Sequence, residues 1–143
     1  MTLVVVGVSH RTAPLDVREA LAFPRERIGE ALARAREEAG LEEAMILSTC
    51  NRVEVYGRAA EGVPAAAVAR FLEGYHGRAV GDLAPFLYAA SGEAAVRHAF
   101  RVAASLDSMV IGEPQILGQV KEAYEIAEAA KSLGGSLGAL RNR

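Results

Sequence analysis

Residues 43–58 read EAMILSTCNRVEVYGR, and they hold two strand candidates, 44–48 and 53–58, separated by the polar tetrapeptide TCNR at 49–52. The first is a short apolar run. The second is VEVYGR. Upstream, FPRERIGEALARAREEAG at 23–40 predicts a helix: Pro24 sits in its first turn, Ile28, Leu32 and Ala35 recur at helical spacing, and Gly40 closes it. Before that, TLVVVGVS at 2–9 reads as a buried strand, and SHRTAPLD at 9–16 as a polar turn with Pro14 marking the connection. Downstream, VPAAAVARFLEGYHG at 63–77 predicts a second helix, with Val68, Phe71, Leu72 and Tyr75 on one face. A short apolar run at 85–90 is a weaker fourth strand.

The resulting order, strand–helix–strand–strand–helix–strand, is that of a ferredoxin-like βαββαβ sandwich of the α+β class. Additional C-terminal helices follow. One has Ser91 as its N-cap and Ala94, Ala95, Phe100 and Ala103 along it. The other spans 114–133 with Leu117, Val120, Tyr124 and Ala127 as its stripe. Residues 1–143 are thus expected to form a single unit, with about 1–90 as the sandwich and 91–143 as a helical extension. SLGGSLGALRNR at 132–143 carries no terminating signal, which suggests a missing continuation.

At 143 residues the chain is long enough for one continuous core. No run approaches a membrane span, and the start lacks the basic flank and cleavage site of a signal peptide, so a cytoplasmic location is expected. The formal charge of −2 argues against a strongly basic nucleic-acid footprint. The positive charge is nearly all arginine, 14 Arg against 2 Lys, which suits carboxylate or phosphate recognition but equally reflects compositional bias. A single cysteine excludes an intrachain disulfide. Cys50, His10, His76 and His98 show no ligand spacing, so no metal is expected. No G-x-G-x-x-G joins a strand to a helix, so no dinucleotide site is visible.

Cys50 falls at the carboxyl end of a predicted strand, where a side chain can emerge into a cleft. A thiolate is the useful nucleophile, and nearby positive charge favours it. In locally extended chain, Arg52 would point the same way as Cys50 and could clamp a carboxylate in two-point geometry. The alternative is a buried structural cysteine with a salt-bridged arginine. His98, in AAVRHAFRVAAS at 94–105, is either a packed helical histidine or an acid/base group. In SLDSMVIGEPQILGQV at 105–120, Ser105, Asp107, Ser108, Glu113, Gln115 and Gln119 either line a polar pocket or serve as capping and solvated residues.

Three segments bear on these alternatives together. GVSHRTAP at 7–14, STCNRVEVY at 48–56 and HAFRVAASLDSMVIGEPQILGQVKEAY at 98–124 resemble the signature stretches of glutamyl-tRNA reductase, in family order and separation. The resemblance spans essentially the whole chain as the family's catalytic domain. It implies reduction of the glutamyl group of glutamyl-tRNA(Glu) to glutamate-1-semialdehyde, with NADPH as cofactor, in tetrapyrrole biosynthesis. By the same resemblance Cys50 is the nucleophile that forms a thioester, and His98 a proton donor or orienter. Thr49, Asn51 and Arg52 would be substrate-binding neighbours, with Arg52 facing the glutamate side-chain carboxylate. Ser108, Glu113, Pro114, Gln115 and Gln119 would line the substrate pocket, and Ser9, His10, Arg11 and Thr12 would support it. The family continues with an NADPH-binding domain and a long-helix domain that makes a homodimer, neither of which is in these 143 residues. A channelling partner, glutamate-1-semialdehyde aminomutase, is implied as well.

The competing expectation is a non-catalytic ferredoxin-like module that binds RNA or protein, since fold alone does not fix function. The Cys50, Arg52 and His98 set speaks against it, as does the lack of an aromatic-rich ribonucleoprotein motif. A redox sensor built on Cys50 would want a resolving cysteine, and there is none.

Overall fold

The computed structural model describes residues 2–59, 65–104 and 125–128. Along the chain come β1 (Thr2–Ser9), α1 (Leu15–Leu21), a 3-10 turn (Arg25–Arg27), α2 (Ile28–Ala39), β2 (Leu41–Ser48), β3 (Arg52–Ala59), α3 (Ala65–Tyr75), β4 (Tyr88–Ser91) and α4 (Glu93–Ala103). The strands form one four-stranded sheet in the order β2-β3-β1-β4, with every neighbouring pair antiparallel. Helices and an antiparallel sheet therefore share one core. No helix among the described residues is long and apolar enough to cross a membrane.

Each element follows from its residues. Along α2, Ile28, Ala31, Leu32, Ala35 and Ala39 are buried, a stripe at helical spacing that packs on β2 and α3. Gly40 ends the helix in the left-handed conformation, φ 68°, and its N–H returns to the Arg36 carbonyl. Val68, Phe71 and Leu72 fix α3 against the core, and the Phe71, Tyr75 and His76 rings gather around Phe23. In β1, Val4, Val5, Val6 and Val8 are all buried, so the strand is covered on both faces and shows no polar alternation.

The structure moves some expected boundaries. β2 begins at Leu41 rather than 44, and β4 occupies Tyr88–Ser91 rather than 85–90. Ser91 ends β4 instead of capping a helix; Gly92 precedes α4. A helix, α1, takes the last two residues of the expected turn and runs on to Leu21, through residues for which no element was expected. Its seven residues bury only Arg18 and Leu21, too little apolar periodicity to announce a helix. Of the helix expected at 114–133, residues 125–128 are helical, and the rest lies outside the described residues.

Register explains one glycine. Directly opposite residues share a sheet face, so Ser9, Gly7 and Val5 of β1 lie beside Arg52, Glu54 and Tyr56 of β3, with Tyr88 of β4 next to Gly7. A Cβ on Gly7 would stand 2.3 Å from the Val53 carbonyl oxygen and 2.9 Å from the Glu54 Cα. Those are backbone atoms of the central strand pair, which cannot yield without parting β1 from β3. Gly7→Ala is therefore expected to cost about 3 kcal/mol, the upper end for overpacking, read as a fall in the urea midpoint at unchanged slope.

His76 supplies a pH dependence. It is half-buried against Phe23 and Tyr75, and burial first, then the Arg78 charge, lowers its pKa to about 4 from the usual 6.5. Between those values the unfolded chain binds a proton that the folded chain does not. Stability therefore falls as pH drops from about 6.5 to 4 and levels off, for this group, below. Replacing His76 by Gln should flatten that part of the urea-midpoint curve relative to the unsubstituted chain, and an NMR titration should place the His76 midpoint near 4.

Candidate active site

The β2–β3 connection is a compact turn held by its own threonine. The Thr49 N–H donates to the Arg52 carbonyl at 2.8 Å, and Thr49 Oγ1 accepts from the Asn51 and Arg52 amides at 3.1 and 3.2 Å. The chain at Cys50 and Asn51 bends rather than running extended, so the expectation that Cys50 and Arg52 point together loses its geometric basis. Cys50 is exposed and free, with its sulfur 3.8 Å from Asn51 Oδ1. That removes the reading of it as a buried structural cysteine. Arg52, by contrast, is only 1% exposed.

A second turn, Ser9–Ala13, stands alongside. Ser9 N–H donates to Thr12 Oγ1 at 3.0 Å, and the Thr12 and Ala13 amides donate to the Ser9 carbonyl, both at 3.0 Å. The His10 N–H crosses to the Asn51 carbonyl at 2.9 Å, which joins the two turns. Arg18 of α1 also crosses: its Nη1 donates to the Cys50 carbonyl at 2.7 Å and its Nε to the Ala13 carbonyl at 3.2 Å. The helix that sequence reading passed over is thus what ties the Ser9–Ala13 turn to the cysteine.

Behind the turns lies a buried carboxylate. Glu54 is fully buried on β3. Tyr56 donates its hydroxyl to Oε1 at 2.9 Å, and Tyr88 donates to Oε2 at 2.5 Å. His98 Nε2 from α4 bonds the same Oε2, and Arg52 Nη1 stands 3.6 Å from it. The oxygens of a buried carboxyl group must be met by hydrogen-bond partners, and here they are. Burial, then the Glu54 charge, pushes the Tyr56 phenol well above its ordinary pKa, so it stays a donor. The Tyr88 and His98 rings lie 5.2 Å apart, tilted by 48°. His98 is therefore both packed and hydrogen-bonded, 8% exposed, and still at a surface opening.

That opening is a cleft of about 470 Å³ lined by Ser9, Arg11, Thr12, Tyr88, His98 and Arg101 among others. Arg11 and Arg101 are exposed on its rim. The cleft therefore combines hydroxyls, a histidine and positive charge, a lining suited to an anionic ligand. Of the expected site residues, Thr49, Cys50, Asn51 and Arg52 share one turn and its strand. His98 reaches that strand through Glu54. Ser108, Glu113, Pro114, Gln115 and Gln119 lie outside the described residues.

Glu54, Tyr56, Tyr88 and Arg18 were not anticipated. A glutamate alternating with valines in a strand was the available signal for Glu54 and Tyr56, two residues apart and so on one face. Arg18 offered none, because its partners are backbone carbonyls.

Comparison with known proteins follows the same lines. Residues 6–143 match the family described as glutamyl-tRNA(Glu) reductase, N-terminal domain. Among curated relatives, the chain is 50% identical to glutamyl-tRNA reductase of Syntrophotalea carbinolica, over 100% of this chain and 32% of that protein. It is 51% identical to that of Geobacter metallireducens, over 94% of this chain and 31% of the relative. The chain thus spans about a third of the length of these relatives. Among solved structures it is similar to glutamyl-tRNA reductase from Methanopyrus kandleri, with TM-score 0.78 and 36% identity, covering 96% of this chain and 31% of the other.

Proposed function

Because the chain belongs to the glutamyl-tRNA reductase N-terminal domain family, we propose that it takes the glutamyl group from glutamyl-tRNA(Glu) onto Cys50. The observation that carries this reading is an exposed thiol on a turn stapled beside a cationic cleft that His98 lines. The Cys50 thiolate attacks the ester carbonyl carbon, a C–S bond forms and the C–O bond to the ribose breaks. The released ribose oxygen takes a proton, and His98, its ring held by Glu54, supplies or orients it. The product is a thioester on Cys50 and free tRNA, with no change in oxidation state.

Arg52 is assigned to the glutamate side-chain carboxylate, where a buried guanidinium would reject the neutral glutamine analogue. Thr49 and Asn51 contribute by shaping the turn. Arg11 and Arg101 suit the acceptor-end phosphates. The sheet order, with β1 between β3 and β4 and β2 at the edge, fits a ferredoxin-like core of about residues 1–90.

In the whole enzyme, reduction of the thioester to glutamate-1-semialdehyde uses NADPH. The described residues do not fit that cofactor: all strand pairs are antiparallel, and no glycine-rich turn leads from a strand into a helix. They account for acyl transfer alone, and water would then release glutamate slowly.

The test is to incubate the chain with tRNA carrying labelled glutamate, quench in acid, and map protein-bound label by mass spectrometry. Label on the peptide containing Cys50, released by hydroxylamine, is expected. Tight tRNA binding with no retained label would instead mark a binding module.

A further inference from the structure

Arg18 is 9% exposed, and among the described residues its guanidinium forms no ion pair with a carboxylate. Its recorded partners are two backbone carbonyls from different turns, Ala13 at 3.2 Å and Cys50 at 2.7 Å, the latter 32 residues away in sequence. Burying a cation without an opposite charge is costly, and a fold that needed only a filled core would place an apolar side chain at this point of α1.

The placement of the neighbouring bonds shows what the charge holds. The Asn51 carbonyl is taken by the His10 amide, and the Asn51 and Arg52 amides are taken by Thr49 Oγ1. The Cys50 carbonyl, at the apex of the turn and belonging to the thiol-bearing residue itself, is taken by Arg18. Without that bond the Cys50–Asn51 peptide is held on one side alone, by Thr49 Oγ1 on the Asn51 amide, and the turn that carries the sulfur is less firmly fixed. Only a planar fork reaches two carbonyls in fixed directions; a lysine is a point charge.

We propose that Arg18 is the positioning residue of the Cys50 turn. Its guanidinium ties the cysteine's own carbonyl to the Ser9–Ala13 turn, so the turn presents the sulfur to the ester carbon in one orientation. This rests on Cys50 as the acyl acceptor.

The experiment uses the full chain with Arg18→Lys, which keeps the charge and loses the fork. Arg18→Gln is the second variant should the lysine form fail to fold. Two quantities are read on protein with native circular dichroism. In single-turnover transfer from labelled glutamyl-tRNA, the limiting rate should fall about tenfold or more while half-saturation stays within about twofold. In native-state hydrogen exchange, the His10, Asn51 and Arg52 amides should exchange about tenfold faster or more, with the centre of β1 and β3 unchanged. A folded variant that transfers at the original rate, one that loses only half-saturation, or unchanged exchange at those three amides overturns the proposal. If the unsubstituted chain forms no adduct, the Cys50 reading fails instead, and the exchange measurement still decides the role of Arg18.

Discussion

Cys50→Ser is expected to abolish retained label in the glutamyl-transfer assay, a loss on the order of 10⁴-fold or more in acylation rate. The size follows from chemistry rather than space. Cys50 is exposed, and among the described residues its sulfur's hydrogen-bond partner is Asn51 Oδ1, which a hydroxyl can also serve, so stability should stay within about 0.5 kcal/mol. A serine hydroxyl at the same place needs a base to become nucleophilic. His98, the histidine proposed for proton transfer, has its Nε2 engaged by Glu54. Any ester that did form would also differ in kind, since oxygen donates into the carbonyl more strongly than sulfur and leaves the carbon less electrophilic. Residual label on the serine variant, mapped to another peptide, would overturn Cys50 as the acceptor. Preserved tRNA binding with no label is the supporting outcome.

Glu54→Ala is expected to cost about 3–5 kcal/mol, the range for removing one partner of a buried charged set. The Tyr56 hydroxyl and the His98 nitrogen would lose this acceptor at once, and the Tyr88 hydroxyl would fall back on the Val8 carbonyl at 3.5 Å. The 1%-exposed Arg52 would lose its nearest described carboxylate. A domain with a typical stability of about 5–15 kcal/mol would be left marginal, so the urea midpoint should fall steeply. Glu54→Gln separates acceptor from charge: it keeps one oxygen for a tyrosine and presents an amide to the other donors, and should cost roughly half as much. Acyl transfer by the glutamine form, measured where it is still folded, should drop further than its unfolded fraction explains, because the His98 ring is no longer held. A midpoint unchanged by Glu54→Ala would contradict the buried network.

What could be read from the chain follows from how far apart the cooperating residues lie. The stripe of α2 and the valines of β1 are local patterns, and both elements stand where their periodicity placed them. β4 is four residues with alternating half-buried and exposed positions, a signal too short to fix its bounds. α1 buries an arginine in place of the apolar residues that betray a helix. The cysteine turn was legible because its residues are contiguous. The Glu54–His98 bond spans 44 residues and depends on Gly7 making room opposite the carboxylate, which no local pattern records.

The register of β1 has a bearing on biosynthesis. Ser9 lies opposite Arg52, and Gly7 opposite both Glu54 and Tyr88, so the parts of the site meet only when the first strand has been enclosed on both sides. During translation β1, the cysteine turn and β3 emerge first, and the tyrosine and histidine that complete the carboxylate's surroundings come some 34 and 44 residues after Glu54. A ribosome-bound chain therefore displays the Cys50 thiol well before the residues around Glu54 are assembled. On the proposed function, acyl transfer by Cys50 with His98 waits until β4 and α4 have left the exit tunnel and docked.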